Sequence, residues 1–163
     1  MSFKTSIGTP TANSYISIAS ADAYFDERYD SLGWLDIGST STLSSTTQKE
    51  NLLIQSTREI DRTFRFYGGK ENTGLLGASD YQNLEFPRSN NTNTDGDVYI
   101  IERVLQSTCE QALWIVQRND AQVQADTEGS PIKNPRFSDL AYDWIKPLVD
   151  RTVKRSGNYP WMT

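Results

Sequence analysis

Histidine is missing from this chain of 163 residues, and cysteine occurs once. Without histidine there is no usual general base at neutral pH, no Ser-His or Cys-His nucleophile pair, and no imidazole ligand for zinc. The lone thiol, Cys109, forms no disulfide within the chain, and its apolar helical surroundings in the sequence indicate a buried packing residue. Most hydrolase mechanisms are therefore excluded and redox chemistry is disfavoured, so we expect a protein that is not an enzyme and uses no cofactor.

Long apolar runs are missing as well. No segment approaches the ~20 apolar residues that cross a bilayer. The amino-terminal residues lack the apolar core of a secretion signal. We therefore expect no membrane association and synthesis in the cytoplasm.

Charge is present but unevenly spread along the chain, which has a net charge of −5 at pH 7. Residues 20–36 carry five acids and one base, whereas residues 146–163 carry four bases and one acid. An acidic chain is poorly suited to neutralising phosphates. The basic end therefore indicates a docking segment rather than a DNA-binding surface, with a solvated helix face as the alternative. Its candidate docking residues are Lys146, Arg151, Lys154, Arg155, Tyr159 and Trp161.

Apolar residues recur at helical spacing in four segments, which predicts an all-α protein. We expect a small helical bundle of four main helices plus a short helix, with long irregular loops, an extended amino-terminal arm and a carboxy-terminal tail. The main helices are expected at about 21–29, 46–66, 100–118 and 138–149. In this interpretation residues 1–150 form a single helical domain and residues 151–163 form the tail.

Several local signals set the expected helix ends. Ser20 is the expected cap of the first helix, which Gly33 ends, and a capping box from Ser45 to Gln48 opens the second. A similar pattern at Ser79 predicts the short helix. Pro147 predicts a kink or a two-piece last helix.

The expected faces of the helices follow from the same periodicity. The second helix is expected to bury Leu53, Thr57, Ile60 and Phe64. In the third, Glu110 and Gln111 are expected to face outward. Leu140 is expected on the face of the last helix that packs against the core.

The first helix carries an acidic cluster of Asp22, Asp26 and Glu27. Two carboxylates on one helix face are what a carboxylate-only hydrolase would require. The preferred interpretation is structural, because acids at the start of a helix interact favourably with its macrodipole.

The loop before the third long helix mimics a calcium-binding loop. Its side chains at the first, third, fifth, sixth and twelfth positions are those of Asn91, Asn93, Asp95, Gly96 and Glu102. The first ligand is Asn rather than Asp, and Pro87 occupies the place of the entering helix. A turn whose side chains cap the following helix is therefore preferred over a metal site.

Four short motifs occur in a recognisable order. They are Asn13-Ser14-Tyr15-Ile16-Ser17, Ala21-Asp22-Ala23-Tyr24-Phe25, Leu84-Glu85-Phe86-Pro87-Arg88 and Asp95-Gly96. Their order resembles the small helical head-tail connector (adaptor, neck) proteins of tailed bacteriophages, including a group described as DnaT-like single-stranded DNA-binding proteins. The family's Ile-Pro entry into the next helix is replaced here by Tyr99-Ile100-Ile101.

The resemblance implies a structural virion protein. Such a protein would form a dodecameric ring of its own copies in the neck, bind the portal protein and the next neck or tail-completion protein, and pass genomic DNA without specific binding. The candidate docking residues would then insert into the portal. The location would be the virion, after assembly in the host bacterial cytoplasm.

The alternative is a single-stranded DNA-binding module of phage replication. It requires a basic groove with aromatic platforms on which bases stack. The candidates are Arg58, Arg62, Arg65, Phe64, Phe66 and Tyr67. Aromatic residues beside a core stripe more often belong to the core.

Overall fold

The protein is described by a computed structural model over residues 2–6, 8–38, 42–70, 82–88, 99–128 and 137–149, with the backbone alone for 119–128. The helices in these ranges are α1 Ile18–Asp26, α2 Leu32–Leu35, α3 Ser45–Thr63, α4 Glu102–Glu128 and α5 Asp139–Ile145, followed by a 3-10 turn over Lys146–Leu148. No strand occurs in this part of the chain, so the predicted all-α class is confirmed. None of these helices is long and apolar enough to span a bilayer.

A short helix, α2, occurs where none was expected. The pattern at Ser79 lies outside the described residues, whereas α2 was not predicted. Gly33, the expected end of the first helix, lies inside α2, where a Cβ atom would come within 3.3 Å of the Leu113 side chain. Glycine therefore lets α2 pack closely against α4.

Helix α3 begins one residue away from the predicted capping box. The Ser44 side chain accepts a hydrogen bond from the Thr47 N–H at 3.1 Å, which satisfies an otherwise unpaired donor of the first turn. The Gln48 amide donates instead to the Gly38 carbonyl. The predicted inward stripe is confirmed, since its members are buried: Leu53, Thr57, Ile60 and Phe64.

Helix α1 also starts earlier than expected. Its cap is Ser17 rather than Ser20, because the Ser17 hydroxyl accepts from the Ser20 N–H at 3.1 Å. The acid at Asp22 therefore lies in the middle of the helix and Asp26 at its end. The interpretation of these acids as partners of the helix start is wrong for that reason.

Helix α4 extends well past its predicted end at 118. The sequence contains no glycine or proline between Glu102 and Gly129, so nothing interrupts its backbone hydrogen bonding. Glu110 and Gln111, which were expected to face outward, are buried. Other elements cover more than one face of α4, and a single-face pattern does not anticipate this.

The last helix is in two pieces, as Pro147 predicts. Helix α5 starts after Ser138, whose hydroxyl accepts from the Ala141 N–H at 3.3 Å, and it passes into the 3-10 turn that contains Pro147. Leu140 is 53% exposed, so its predicted core position is wrong. Ala141 and Ile145 take the inward face instead.

Buried apolar side chains form two clusters. The first joins the end of α3 to the 82–88 loop and α5, and includes Phe64, Phe66, Phe86, Val104, Phe137 and Ile145. The second joins α1 and α2 to α3 and α4, and includes Ile16, Phe25, Trp34, Leu53, Cys109 and Leu113. Leu105 packs against both clusters, so α4 connects the two ends of one interior.

Candidate nucleic-acid interface

One side of the carboxy-terminal part of α3 exposes positive charge. Arg58 and Arg62 are four residues apart and therefore share a helix face. Arg65 follows just after the helix end and is also exposed, and Lys4 of the amino-terminal arm lines the same cavity as Arg58. We call these four residues, Lys4, Arg58, Arg62 and Arg65, the basic stripe.

Two members of the basic stripe make no ion pair within the part of the chain that the structure describes. Neither Arg62 nor Arg65 makes an ion pair with another residue in the described ranges. The acid just before Arg62 in the sequence, Asp61, is used inside the protein: it accepts hydrogen bonds from the Tyr15 hydroxyl and from the Glu85 N–H at 3.2 Å. Within the described ranges, the charges of Arg62 and Arg65 therefore face solvent or a ligand.

Burial changes the chemistry of Asp61 itself. Desolvation raises the pKa of its carboxyl to about 6, against the lowering effect of the Tyr15 and Glu85 hydrogen bonds. The pKa of the Tyr15 hydroxyl is raised well above its usual value, first by burial and then by the charge of Asp61. Tyr15 therefore stays protonated and donates to the carboxylate.

Only one of the three candidate aromatic side chains is exposed. Phe64 and Phe66 are buried, which confirms the expectation that such aromatics are core residues. Tyr67 is 49% exposed, and its N–H donates to the Leu148 carbonyl at 3.1 Å. Gly68 follows with a φ of 77°, a left-handed turn that glycine adopts at little cost. Tyr67 is thus an exposed ring on a firmly held backbone.

The motif residues of the 82–88 loop hold this surface in place rather than form it. The Tyr15 hydroxyl accepts from the Glu85 N–H at 3.1 Å and from the Phe86 N–H at 3.3 Å. Arg88 donates to the Gly68 carbonyl and to the Glu85 carboxylate, each at 2.6 Å. The buried motif residues are Asn13, Ser14, Tyr15, Leu84, Phe86, Pro87 and Arg88. Their shared role is to fasten the loop and the arm to the end of α3.

The predicted docking residues are not brought together in the described part of the chain. Lys146 is exposed, with its ammonium 5.7 Å from the centre of the Tyr142 ring. The other predicted docking residues lie outside the described ranges: Arg151, Lys154, Arg155, Tyr159 and Trp161. Their docking role stays a prediction, as does the division into a 1–150 domain and a tail.

The calcium-like loop is described only at its last position. Asn91, Asn93, Asp95 and Gly96 lie outside the described residues. Glu102 is exposed at the start of α4 and accepts a hydrogen bond from Gln106 at 3.1 Å. Among the residues that the structure describes, no three metal-binding side chains are grouped. Calcium binding by this loop therefore stays untested.

Two acids, Asp22 and Glu110, and the Cys109 thiol lie near α1 and α2 and have structural roles. Asp22 accepts from the Trp34 indole and from Lys49, both at 2.7 Å. Glu110 accepts from the Tyr24 hydroxyl and forms an ion pair with Arg28. Desolvation by burial raises the pKa of the Cys109 thiol to about 12, as expected of a packing residue.

Sequence patterns predicted three of the four residues of the basic stripe and missed Lys4. The spacing of Arg58 and Arg62 was a visible signal. Lys4 was missed, because no periodicity relates an arm to a distant helix. The link is the Asn13 side chain, which accepts from the Lys4 N–H at 2.8 Å and folds the arm back.

Comparison with known proteins identifies a family. A family model with the description "Putative DnaT-like ssDNA binding protein" matches residues 1–146. No curated protein and no solved structure matches the chain. The match supports the alternative of single-stranded DNA binding and gives no support to a structural head-tail connector, so that expectation is corrected. The expected ring, portal and neck partners, the virion location and the lack of enzymatic activity stay untested predictions.

Proposed function

The chain belongs to the DnaT-like ssDNA binding protein family, and we propose that it is a single-stranded DNA-binding module whose basic stripe contacts the phosphates. The observation that carries this proposal is the exposed charge of Arg62 and Arg65 without ion-pair partners in the described ranges, beside the exposed ring of Tyr67. Single-strand binding requires two elements: cations that contact the phosphates of the nucleic acid, and an aromatic ring on which a base stacks.

The net charge of −5 does not oppose this function at short range. Exposed charges farther apart than about 8 Å are largely screened at physiological salt. Many of the acids are also paired internally, as Asp22 is with Lys49 and Glu110 is with Arg28.

Two acids near the basic stripe, Asp61 and Glu85, line a cavity together with Arg65. Asp61 accepts hydrogen bonds from Tyr15 and Glu85, and Glu85 pairs with Lys70 and Arg88, so a phosphate at the basic stripe meets arginines beside acids that already have partners.

The same physics bounds the affinity. Four cations release a small number of counterions, so binding should be non-specific, with a dissociation constant of roughly 10⁻⁴ to 10⁻⁶ M at physiological salt. A plot of log K against log salt should have a slope of about −3, from ~0.7 per phosphate contacted in a single strand.

The test is fluorescence anisotropy with a labelled oligothymidylate over a salt series. Arg62→Glu and Arg65→Glu should each weaken binding about tenfold at low salt and reduce the slope by about 0.7. Arg103→Glu is the matched control, because it makes the same charge change at an exposed arginine of α4. It should weaken binding less than twofold.

Two outcomes would overturn the proposal. The first is a wild-type protein whose anisotropy does not change with the oligonucleotide at low salt. The second is an equal loss for all three reversals, since this would show a response to total charge rather than to the basic stripe.

A further inference from the structure

We propose that the cavity between the amino-terminal arm and α3 binds one nucleotide unit, with its phosphate between Lys4 and Arg58 and its base against the wall that carries Asn83. The inference rests on the proposed function and adds a subsite to it. The cavity has a volume of about 370 Å³ and is lined by residues of three separate segments. That volume is near the lower limit for ligand pockets, so it suits a single unit rather than several.

The walls of the cavity are held by the protein's own hydrogen bonds. Asn13 accepts from the Lys4 N–H at 2.8 Å and donates from its side chain to the Ser2 carbonyl at 2.8 Å. The Asn13 N–H donates to the Lys4 carbonyl at 2.9 Å. On the other wall the Asn83 side chain donates to the Ala12 carbonyl at 2.9 Å. The site is therefore formed before a ligand arrives, which reduces the entropic cost of binding.

The charge of the lining selects an anion. Lys4 and Arg58 come from different segments, and none of the described residues that line this cavity is acidic. The hydrogen bonds that fix Lys4 use its backbone atoms, so its ammonium is not what holds the arm. Two cations that line one recess can together hold a phosphate through charge-assisted hydrogen bonds.

The remaining lining suits a base. Pro10 and Leu84 supply apolar surface against which a planar ring packs. No described residue donates to the side-chain oxygen of Asn83, so this oxygen and one amide hydrogen can pair with the polar edge of a base. A phosphate subsite alone would need neither of these features, so a nucleotide fits the cavity better than a free inorganic anion.

The cavity is also continuous with the basic stripe. Arg58 lines the cavity and shares a helix face with Arg62. A single-stranded nucleic acid that follows the basic stripe therefore reaches the cavity along the same face of α3. The cavity thus lies where the strand's terminal nucleotide, or one splayed from the strand, would be held.

The experiment is an NMR titration of the full chain with thymidine monophosphate, thymidine and inorganic phosphate as separate probes. The nucleotide should shift the backbone amides of Lys4 and Asn83 with saturation, and should bind at least about fivefold more tightly than either fragment, because only it makes both kinds of contact. Equal binding of phosphate and nucleotide, or no binding of nucleotide, overturns the inference.

Variants separate this inference from the proposed function. Lys4→Glu leaves the backbone hydrogen bonds of the arm intact and should weaken nucleotide binding about tenfold. Arg62→Glu should leave mononucleotide binding within twofold while it weakens the oligonucleotide. If the oligonucleotide binds as proposed but the mononucleotide does not, only the cavity is refuted. If the mononucleotide binds but Arg62→Glu and Arg65→Glu do not affect the oligonucleotide, only the basic stripe is refuted.

Discussion

The two ends of the helical interior differ in how many of their cationic side chains form ion pairs within the protein. At the end formed by α1 and α2, Arg28 pairs with Asp30 and Glu110, and Lys49 pairs with Asp22. At the other end, Lys70 and Arg88 pair with Glu85. Arg62 and Arg65 are exposed there and make no ion pair within the described ranges. Charge that is paired internally stabilises the fold, whereas like charges left together at a surface contribute repulsion that a bound anion would relieve. The comparison therefore gives the ion pairs of the acidic end a structural role, and it places the proposed binding at the basic end.

The largest expected effects come from removing one buried aromatic ring at each end. Trp34 is 0% exposed and stacks on Phe25 at 5.0 Å, while Phe86 contacts Phe66 at 4.7 Å. Trp34→Ala and Phe86→Ala should each lower the free energy of unfolding by about 3–5 kcal/mol, measured by urea denaturation. Only Phe86→Ala should also weaken DNA binding under conditions where the protein stays folded.

The milder Phe86→Leu variant keeps this prediction testable if the alanine variant does not fold. It should retain most of the stability and lose only part of the affinity. If Trp34→Ala weakens DNA binding as much as Phe86→Ala does, the division into a structural end and a binding end is wrong.

The next effect concerns paired and unpaired arginines. Arg28→Ala leaves the buried carboxylate of Glu110 without its cation and should cost about 2–4 kcal/mol of unfolding free energy. Arg62→Ala should change the free energy of unfolding by less than about 0.5 kcal/mol, because the side chain that it removes is exposed. Thermal and urea unfolding would measure both. Addition of Glu110→Gln to Arg28→Ala should restore part of the loss; no restoration would mean that the pair is not the cause.

The third effect is a difference in pH dependence between two carboxyls. Burial raises the pKa of Asp61 to about 6, whereas hydrogen bonds from Arg28 lower the pKa of Asp30. In the folded protein Asp61 keeps its proton at a pH where the unfolded chain has lost it. Its contribution to stability is therefore largest at about pH 4 and falls by roughly 2–3 kcal/mol as pH rises through 6. Asp30 has the opposite sign, since its contribution is lost as pH falls.

Variants isolate each carboxyl from the other acids of the chain. The unfolding free energy of wild type minus that of Asp61→Asn should decrease between pH 4 and pH 7. The corresponding difference for Asp30→Asn should increase with pH. Parallel curves for the two variants would show that the environments of the carboxyls do not differ as described.

The smallest expected effect compares two exposed tyrosines. Tyr67 lies beside the basic stripe, and Tyr29 is fully exposed at the acidic end. Tyr67→Ala should weaken oligonucleotide binding about fivefold through the loss of one stacked base. Tyr29→Ala should leave it unchanged in the same anisotropy measurement. Equal effects of the two variants would contradict the contact of Tyr67 with a base.

Much of the helical framework follows from the sequence. The buried stripe of α3 and the break at Pro147 are visible in the chain, because both depend on residues within one or two turns of each other. Helix boundaries were less accurate. Ser17 and Ser44 cap their helices in place of the expected Ser20 and Ser45, since neighbouring serines compete for the same role.

The errors lie where distant segments meet. Glu110 and Gln111 look like solvent-facing residues, yet Gln111 accepts from the Ser138 N–H at 2.9 Å and donates to Glu59 at 2.6 Å. Helix α2 exists where Gly33 suggested a stop, because its packing against α4 outweighs the low helix propensity of glycine. Periodicity describes one face of one helix, and it contains no information about how many neighbours that helix has.

The sequence alone determined that this protein is all-α, that it lacks histidine chemistry, and which arginines repeat on the face of α3. These properties depend on composition and on local hydrogen bonding. Tertiary structure decided which arginines stay exposed, that Phe66 is buried while Tyr67 is not, and that Lys4 joins Arg58 across the chain. The reason is that exposure and pairing depend on contacts between residues far apart in sequence, such as Tyr15 with Asp61 and Glu85, which only the folded chain brings together.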